Sequence, residues 1–211
     1  MLRRSILALA ICLVAAKAHA GPVELFTGVS VDPQMPNSLA LKYIYGGGGL
    51  FLSSDAGMSF SLLCYSEVDP LVQRDSSAMY VSGTDQVFIG VFDGLWYGDK
   101  TGCNWKAAPE LMGKWVSDIE GDPIDPTITY AITSNGTGTN GVYMNDGKSA
   151  AWTALGSQDE LFYNTLSVVK TSAGKRFYLT AVKDTVTMDP TTMMPVDNTS
   201  YSIRVSDDDA M

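Results

Sequence analysis

Four carboxylates, Asp118, Glu120, Asp122 and Asp125, fall within eight residues of one another. Two facing carboxyl groups, one of them with a raised pKa, are what acid–base cleavage of a glycosidic bond requires. Spacing assigns these four more plainly. Asp122 and Asp125 belong to Asp122-Pro123-Ile124-Asp125-Pro126, whose counterpart Asp32-Pro33-Gln34-Met35-Pro36 has the residues of a simple turn. Asp118 and Glu120 alternate, so they share one face of a strand or its exit, where a solvated edge is the expectation. The run Asp207-Asp208-Asp209 reads the same way. Trp96, Trp115, Tyr43 and Tyr45 offer faces on which a sugar ring can stack. At strand spacing such residues are more simply core or cross-strand partners. The one histidine, His19, lies in a removable N-terminal segment. Without it the chain runs neither a Ser-His-Asp nor a Cys-His mechanism and builds no His-containing zinc site. Gly46 to Gly49 lack the Lys-Ser/Thr of a phosphate cradle. No catalytic, cofactor-binding or metal-binding residue is expected, and no cofactor.

The N-terminal segment has the parts of a signal peptide. Arg3 and Arg4 are its positive start, Ser5 to Ala16 its apolar stretch, and Ala18-His19-Ala20 its small-x-small cleavage site. Residues 1–20 are therefore expected to be removed and 21–211 to be exported, secreted or periplasmic. The apolar stretch is too short to span a bilayer, and no membrane insertion is expected after cleavage. Removing Arg3, Arg4 and Lys17 from 14 basic residues leaves 11 against 23 acidic ones, a net charge of −12. Such a surface repels nucleic acid and anionic lipid. Cys64 and Cys103 remain, and in an oxidising compartment two cysteines read first as one disulfide. Closing that 39-residue loop would stabilise the fold by ~4 kcal/mol on the chain-entropy model. Two buried free thiols are the alternative.

The elements that hold these residues are strands. Leu39 to Tyr45, Val87 to Phe92, Thr127 to Thr133, Arg176 to Val182 and Tyr201 to Val205 are β-branched and aromatic, with turn residues between. They repeat. Ser53-Ser54-Asp55-Ala56-Gly57-Met58-Ser59-Phe60 fits S-x-D-x-G-x-S/T-aromatic throughout, on Ser53, Asp55, Gly57, Ser59 and Phe60. Gly98 to Trp105 keeps Gly102 and Trp105 while the Asp slips by one, and Asn145 to Trp152 keeps Asp146 and Trp152 with Ser149 in the glycine place. Phe60, Trp105 and Trp152 lie 45 and 47 residues apart, the size of one four-stranded blade. The Asp-Pro element recurs in the same phase, 23 residues before Asp55 and 24 before Asp146. In each turn the carboxylate and hydroxyl can take backbone N–H groups, glycine supplies the left-handed position, and the aromatic opens the next strand.

On these motifs the chain resembles the BNR or Asp-box β-propellers, a class that includes bacterial sialidases, xyloglucanases, sortilin-type ectodomains and exported repeat proteins of unknown activity. The resemblance covers residues 29 to 211. It implies an all-β propeller of four-stranded blades, at about 24–65, 66–108, 109–155 and a partial 160–211. It also implies that the boxes are structural and lie on the rim away from the ligand-binding end. Sialidases hold their substrate with three arginines, the number present in Arg74, Arg176 and Arg204. Arg74 lacks the Arg-Ile-Pro context of such enzymes, and Arg176 follows Lys175 in an expected turn. The function expected is a non-catalytic exported scaffold binding a protein or glycan. The alternative is a glycoside hydrolase of sialidase or xyloglucanase type.

In the last unit Thr185 to Asn198 reads as an inserted loop, and Ser206 to Ala210 as the start of a fourth box whose aromatic would fall beyond Met211. About three and three-quarter blades are thus expected, an incomplete propeller that is either a truncated product or one half of a split array that a second chain would complete. A strand near Val23 to Val29 closing a small four-bladed ring is the alternative. Mass spectrometry of the exported protein should find Gly21 as the first residue, and retention of residues 1–20 would overturn the leader assignment.

Overall fold

The structure is a computed structural model that describes residues 26–43, 49–62, 78–84, 86–101, 104–184 and 186–207. The leader, Cys64, Arg74, Gly102, Cys103, Asp208 and Asp209 lie outside the described residues. So does the proposed Cys64–Cys103 bridge.

Among the described residues seventeen strands form four consecutive antiparallel sheets and one small hairpin. The first sheet is β1 (Phe26–Val31), β2 (Leu39–Tyr43), β3 (Gly49–Ser53) and β4 (Ser61–Leu62), paired in chain order. The second is β5 (Ala78–Val81), β6 (Gln86–Val91), β7 (Gly94–Asp99) and β8 (Lys106–Ala107). A 3-10 turn at Pro109–Leu111 leads into the third: β9 (Val116–Gly121), β10 (Thr129–Thr133), β11 (Asn140–Asn145) and β12 (Thr153–Asp159). The fourth has three strands among the described residues: β13 (Phe162–Thr171), β14 (Gly174–Lys183) and β17 (Ser200–Ser206). The segment expected as an inserted loop folds on itself, as β15 (Val186–Met188) against β16 (Pro195–Asp197). β1 is the first strand of the first sheet, paired to β2, and does not close the fourth.

The sheets stand face to face as propeller blades, and the core is made between them. Ala40, Leu50 and Leu52 of the first sheet pack on Val81, Val87, Ile89 and Val91 of the second. The other face of the second, Tyr80, Phe88 and Leu95, meets Ile119, Ala131, Tyr143 and Trp152 of the third. Tyr130, Ile132 and Val142 then meet Tyr163, Leu166, Val168, Phe177 and Leu179 of the fourth. A strand with partners on both faces needs apolar residues at successive positions. β10 is buried at every residue and β6 at five of six. β14 instead alternates, Phe177, Leu179 and Ala181 buried and Tyr178 and Thr180 exposed.

Antiparallel order puts the first-to-second and third-to-fourth strand turns at one end of every blade, here called the box end. The second-to-third turns and the links between blades share the opposite end. At the box end the two Asp-Pro elements form the same turn. The Asp32 carboxylate accepts the N–H of Gln34 and Met35 at 2.8 and 3.0 Å, and Asp122 accepts those of Ile124 and Asp125 at the same distances. Their other oxygens reach the following blade: Lys100 donates to Asp32 at 2.7 Å and Lys175 to Asp122 at 2.8 Å. Turn residues are thus also clips between blades. Lys175, expected beside solvent, is held by Asp122 and Tyr130. Ser82 replaces the acid in the second blade and takes the N–H groups of Thr84 and Gln86.

Burial alone would raise the Asp122 carboxyl, but hydrogen bonds from Lys175, the Asp125 N–H, Tyr130 and the Ile124 N–H outweigh it and hold the group below its ordinary 3.8. A depressed folded-state pKa means stability fully present above pH ~4 and lost as the pH falls through the depressed value. Asp122→Ala would leave the Tyr130 hydroxyl without its acceptor and take the carboxylate from beside the Lys175 ammonium. A loss of ~3–5 kcal/mol is expected in denaturant unfolding at pH 7, shrinking toward pH 2, against a much smaller one for exposed Asp125→Ala.

Candidate functional site

The expected boxes can now be compared as geometry. In the first, the Ser53 hydroxyl donates to Asp55 at 2.7 Å and accepts the Gly57 N–H at 2.8 Å. Asp55 takes both the Ser59 N–H, at 2.9 Å, and the Ser59 hydroxyl, at 2.6 Å. Those hydrogen bonds from Ser59, with that from Ser53, draw the exposed Asp55 carboxyl down to about 2. In the second turn Asp99 takes the Thr101 N–H at 2.9 Å, the Thr101 hydroxyl and the Asn104 amide. In the third, Asn145 accepts the Gly147 N–H and Asp146 accepts those of Lys148 and Ser149. The left-handed residue there is Gly147, not Ser149: φ is +70°, and a Cβ would lie 2.3 Å from the Thr127 carbonyl oxygen. Alignment by the final aromatic hid this, because the third turn is shorter between its Asn and its glycine. Every one of these polar groups is used inside its own turn.

The inner strands of the four blades enclose an axial cavity of about 440 Å³, lined by Ser30, Tyr80, Asp118, Glu120 and Val168 among others. Pro33 and Pro123 place its mouth at the box end. Gly121 admits the Tyr80 ring, since a Cβ there would sit 1.8 Å from the Tyr80 hydroxyl. Asp118 and Glu120 are half-buried here, not on the solvated edge expected from their spacing. The fourth blade supplies the cover, which no local pattern announces. Burial first, then the neighbouring Asp118 charge, pushes Glu120 up to about 7. Asp118 is also raised by burial, although its oxygens accept the N–H of Ile119 at 2.9 Å and of Leu166 at 2.8 Å. Burial and the charges of Glu120, Asp32 and Asp122 push Tyr80 up to about 12.

The opposite end carries a different surface. Phe92, 62% exposed in the β6–β7 turn, lies parallel to Trp115 just before β9, with ring centroids 4.7 Å apart and planes 14° apart. Two anchors fix the Trp115 main chain: its backbone N–H donates to the Asn135 side chain at 2.6 Å, and its carbonyl accepts the Ser134 N–H at 2.9 Å. Met112 is exposed beside the same turn, against Gly94. The β15–β16 hairpin presents Met188, Met193 and Met194 from this end too. Of the aromatics read as stacking candidates, Trp96 is packed into the core between the first two blades. Tyr45 and the side chain of Tyr43 lie outside the described residues. Among the described ones Trp115 reaches a surface, and Phe92 was missed. Its signal was available, an aromatic in a two-residue turn before Gly94, where nothing in the strand pattern calls for one. Of the three arginines, Arg176 pairs with Asp207, and Arg204 with Asp159 at 2.7 Å, both outside the axial cavity.

No family model matches the chain, and no curated protein does. A GH74 enzyme from Niastella koreensis superposes with a TM-score of 0.56 at 17% identity, over 82% of this chain and 30% of that one. An ancestral GH74 enzyme gives 0.55 at 19% identity, over 76% and 22%. The BT4673 extracellular domain from B. thetaiotaomicron gives 0.53 at 11%, over 77% and 21%. The chain spans less than a third of the length of each of these structures.

A folded-state pKa raised above the unfolded 4.5 means that stability is lost as the pH rises from there to about 7. Wild type should therefore lose melting temperature relative to Glu120→Gln across that window and run parallel to it above pH 8. A constant difference from pH 4 to 8 would mean that Glu120 titrates normally. With paired four-stranded sheets, inter-blade cores and these superpositions in hand, the chain is a β-propeller of four-stranded blades.

Proposed function

We propose that this chain is an exported, non-catalytic scaffold of the BNR or Asp-box class, secreted or periplasmic, that binds a protein or glycan partner. The partner sits on the end away from the box turns. The carrying observation is the stacked Phe92–Trp115 pair, an exposed aromatic surface held rigid by Asn135 and Ser134. Rigid aromatic area costs little entropy on binding and suits either a sugar ring or an apolar side chain. The turns at Ser53, Asp55, Gly57, Ser59 and Phe60, and at Asp146 and Trp152, are structural staples in this reading.

The raised Glu120 is what favours a hydrolase, since a carboxyl titrating near 7 can serve as a general acid. Its neighbour argues against one. Both Asp118 oxygens hold main-chain N–H groups, one of them from the next blade. Asp118 and Glu120 also project from the same strand instead of facing each other across the cavity. The likeness to GH74 enzymes is below 20% identical and carries fold alone.

The test is a glycan and exported-protein binding screen with residues 21–211, paired with a panel of fluorogenic glycosides. A bound partner should be retained by wild type and weakened at least ~10-fold by Phe92→Ala with Trp115→Ala, at unchanged melting temperature. Glycoside turnover that Glu120→Gln abolishes would replace the scaffold by the hydrolase.

A further inference from the structure

We infer that the axial cavity binds an alkylammonium group, seated on Glu120, Asp118 and the Tyr80 hydroxyl.

The acids in and around this cavity differ in what they hold. Asp32 and Asp122 each meet a lysine from the following blade, Lys100 and Lys175. Asp118 and Glu120 meet no cation among the described residues. Asp118 accepts one main-chain N–H on each oxygen, from Ile119 and from Leu166, and each oxygen keeps a lone pair. The Glu120 carboxylate accepts no hydrogen bond among the described residues, although it shares a face of β9 with Asp118. Burial and that neighbouring charge are what raise it. A ligand of opposite charge would relieve both.

Tyr80 points to the same space independently. It is 8% exposed, yet its hydroxyl makes no hydrogen bond among the described residues. A phenol buried to that degree ordinarily has a partner. The hydroxyl lies over Gly121 in the cavity wall, where a Cβ would collide with it. Its electrostatic neighbours are all acids, Glu120 foremost, then Asp32 and Asp122. In that field the phenol stays protonated, and its oxygen is free to accept.

The protein therefore supplies acceptors here from two strands, β5 and β9, and no cation of its own to meet them among the described residues. An ammonium group carries three donors, no acceptor and a compact charge, one donor each for Glu120, Asp118 and Tyr80. A metal ion is served less well, because among the described residues no three His, Cys, Asp or Glu side chains converge to hold one. The cavity, about 440 Å³, is larger than an ammonium headgroup. Val31, Pro33 and Val168 line the rest of it, which suits an aliphatic stem. Such a group belongs to a free amine or to a lysine side chain, and headgroup and stem are the same in both.

Isothermal titration calorimetry and thermal unfolding of the purified protein at pH 8, where Glu120 is ionised, test this. The probes are cadaverine and N-acetyl-lysine methylamide, in about 0.15 M salt to screen the acidic surface. Both should bind and raise the melting temperature, and 1-pentanol, a stem without the charge, should do neither. Binding of cadaverine alone marks a free amine as the source, and binding of both admits a lysine side chain. Glu120→Gln should weaken binding at least ~10-fold, and Tyr80→Phe, which keeps the ring, by ~3- to 10-fold. Asp125→Ala removes an exposed charge at the same end and should change nothing. No binding at ~10 mM probe would overturn the inference. So would equal losses in Glu120→Gln and Asp125→Ala, which mark diffuse attraction to an acidic surface. Displacement of the amine by Ca²⁺ with the same dependence on Glu120 would replace it by a metal site.

Discussion

A four-stranded sheet with apolar residues on both faces has no stable existence alone, because one face at least stays in water at ~25 cal/mol per Å². Everything else in this chain answers that constraint. Blade follows blade so that Leu52 meets Val87, Phe88 meets Trp152, and Tyr130 meets Phe177 edge-on at 5.0 Å. The inner blades show the consequence in their strands. β10 is buried without interruption, a pattern otherwise typical of parallel sheets covered by helices, here produced by sheets on both sides.

Polar groups are placed where that packing leaves edges. A carboxylate at the box end is partly desolvated by the next blade and would be costly alone. Asp32 and Asp122 offset the cost with two main-chain N–H groups each and a lysine from the blade that covers them. Asp118 does the same work further along β9, taking the Leu166 N–H, and Ser30 does it between the first two blades, taking that of Val81 at 2.9 Å. Glu120 is the exception, a half-buried acid pushed up to about 7. It stands at the axis, where the fourth blade covers it and the Asp118 charge lies beside it.

The two ends of the molecule differ because their connections do. Box-end turns spend their side chains on themselves and on neighbouring blades. At the opposite end Asn135 and Asp189 still hold main-chain N–H groups, but Phe92, Met112 and the β15–β16 methionines stand in solvent there. It is this difference between the two ends on which the proposed binding surface rests.

Local physics was enough for much of this. Short β-branched runs between turn residues make antiparallel strands whatever surrounds them, and Ser53, Asp55, Gly57 and Ser59 close their turn within seven residues. The spacing of Phe60, Trp105 and Trp152 is likewise a property of the chain, since each blade needs the same length. Other features required neighbours distant in sequence. Lys175 lies beside Asp122 across 53 residues, and Asp118 and Glu120 leave solvent only when the fourth blade arrives. Phe60 and Trp152 have the same place in their units, yet one is exposed and the other buried. Nothing in either residue or its flanks distinguishes them. Only the blade in front of Trp152 does, because burial belongs to the packing of one sheet on another and not to a strand alone.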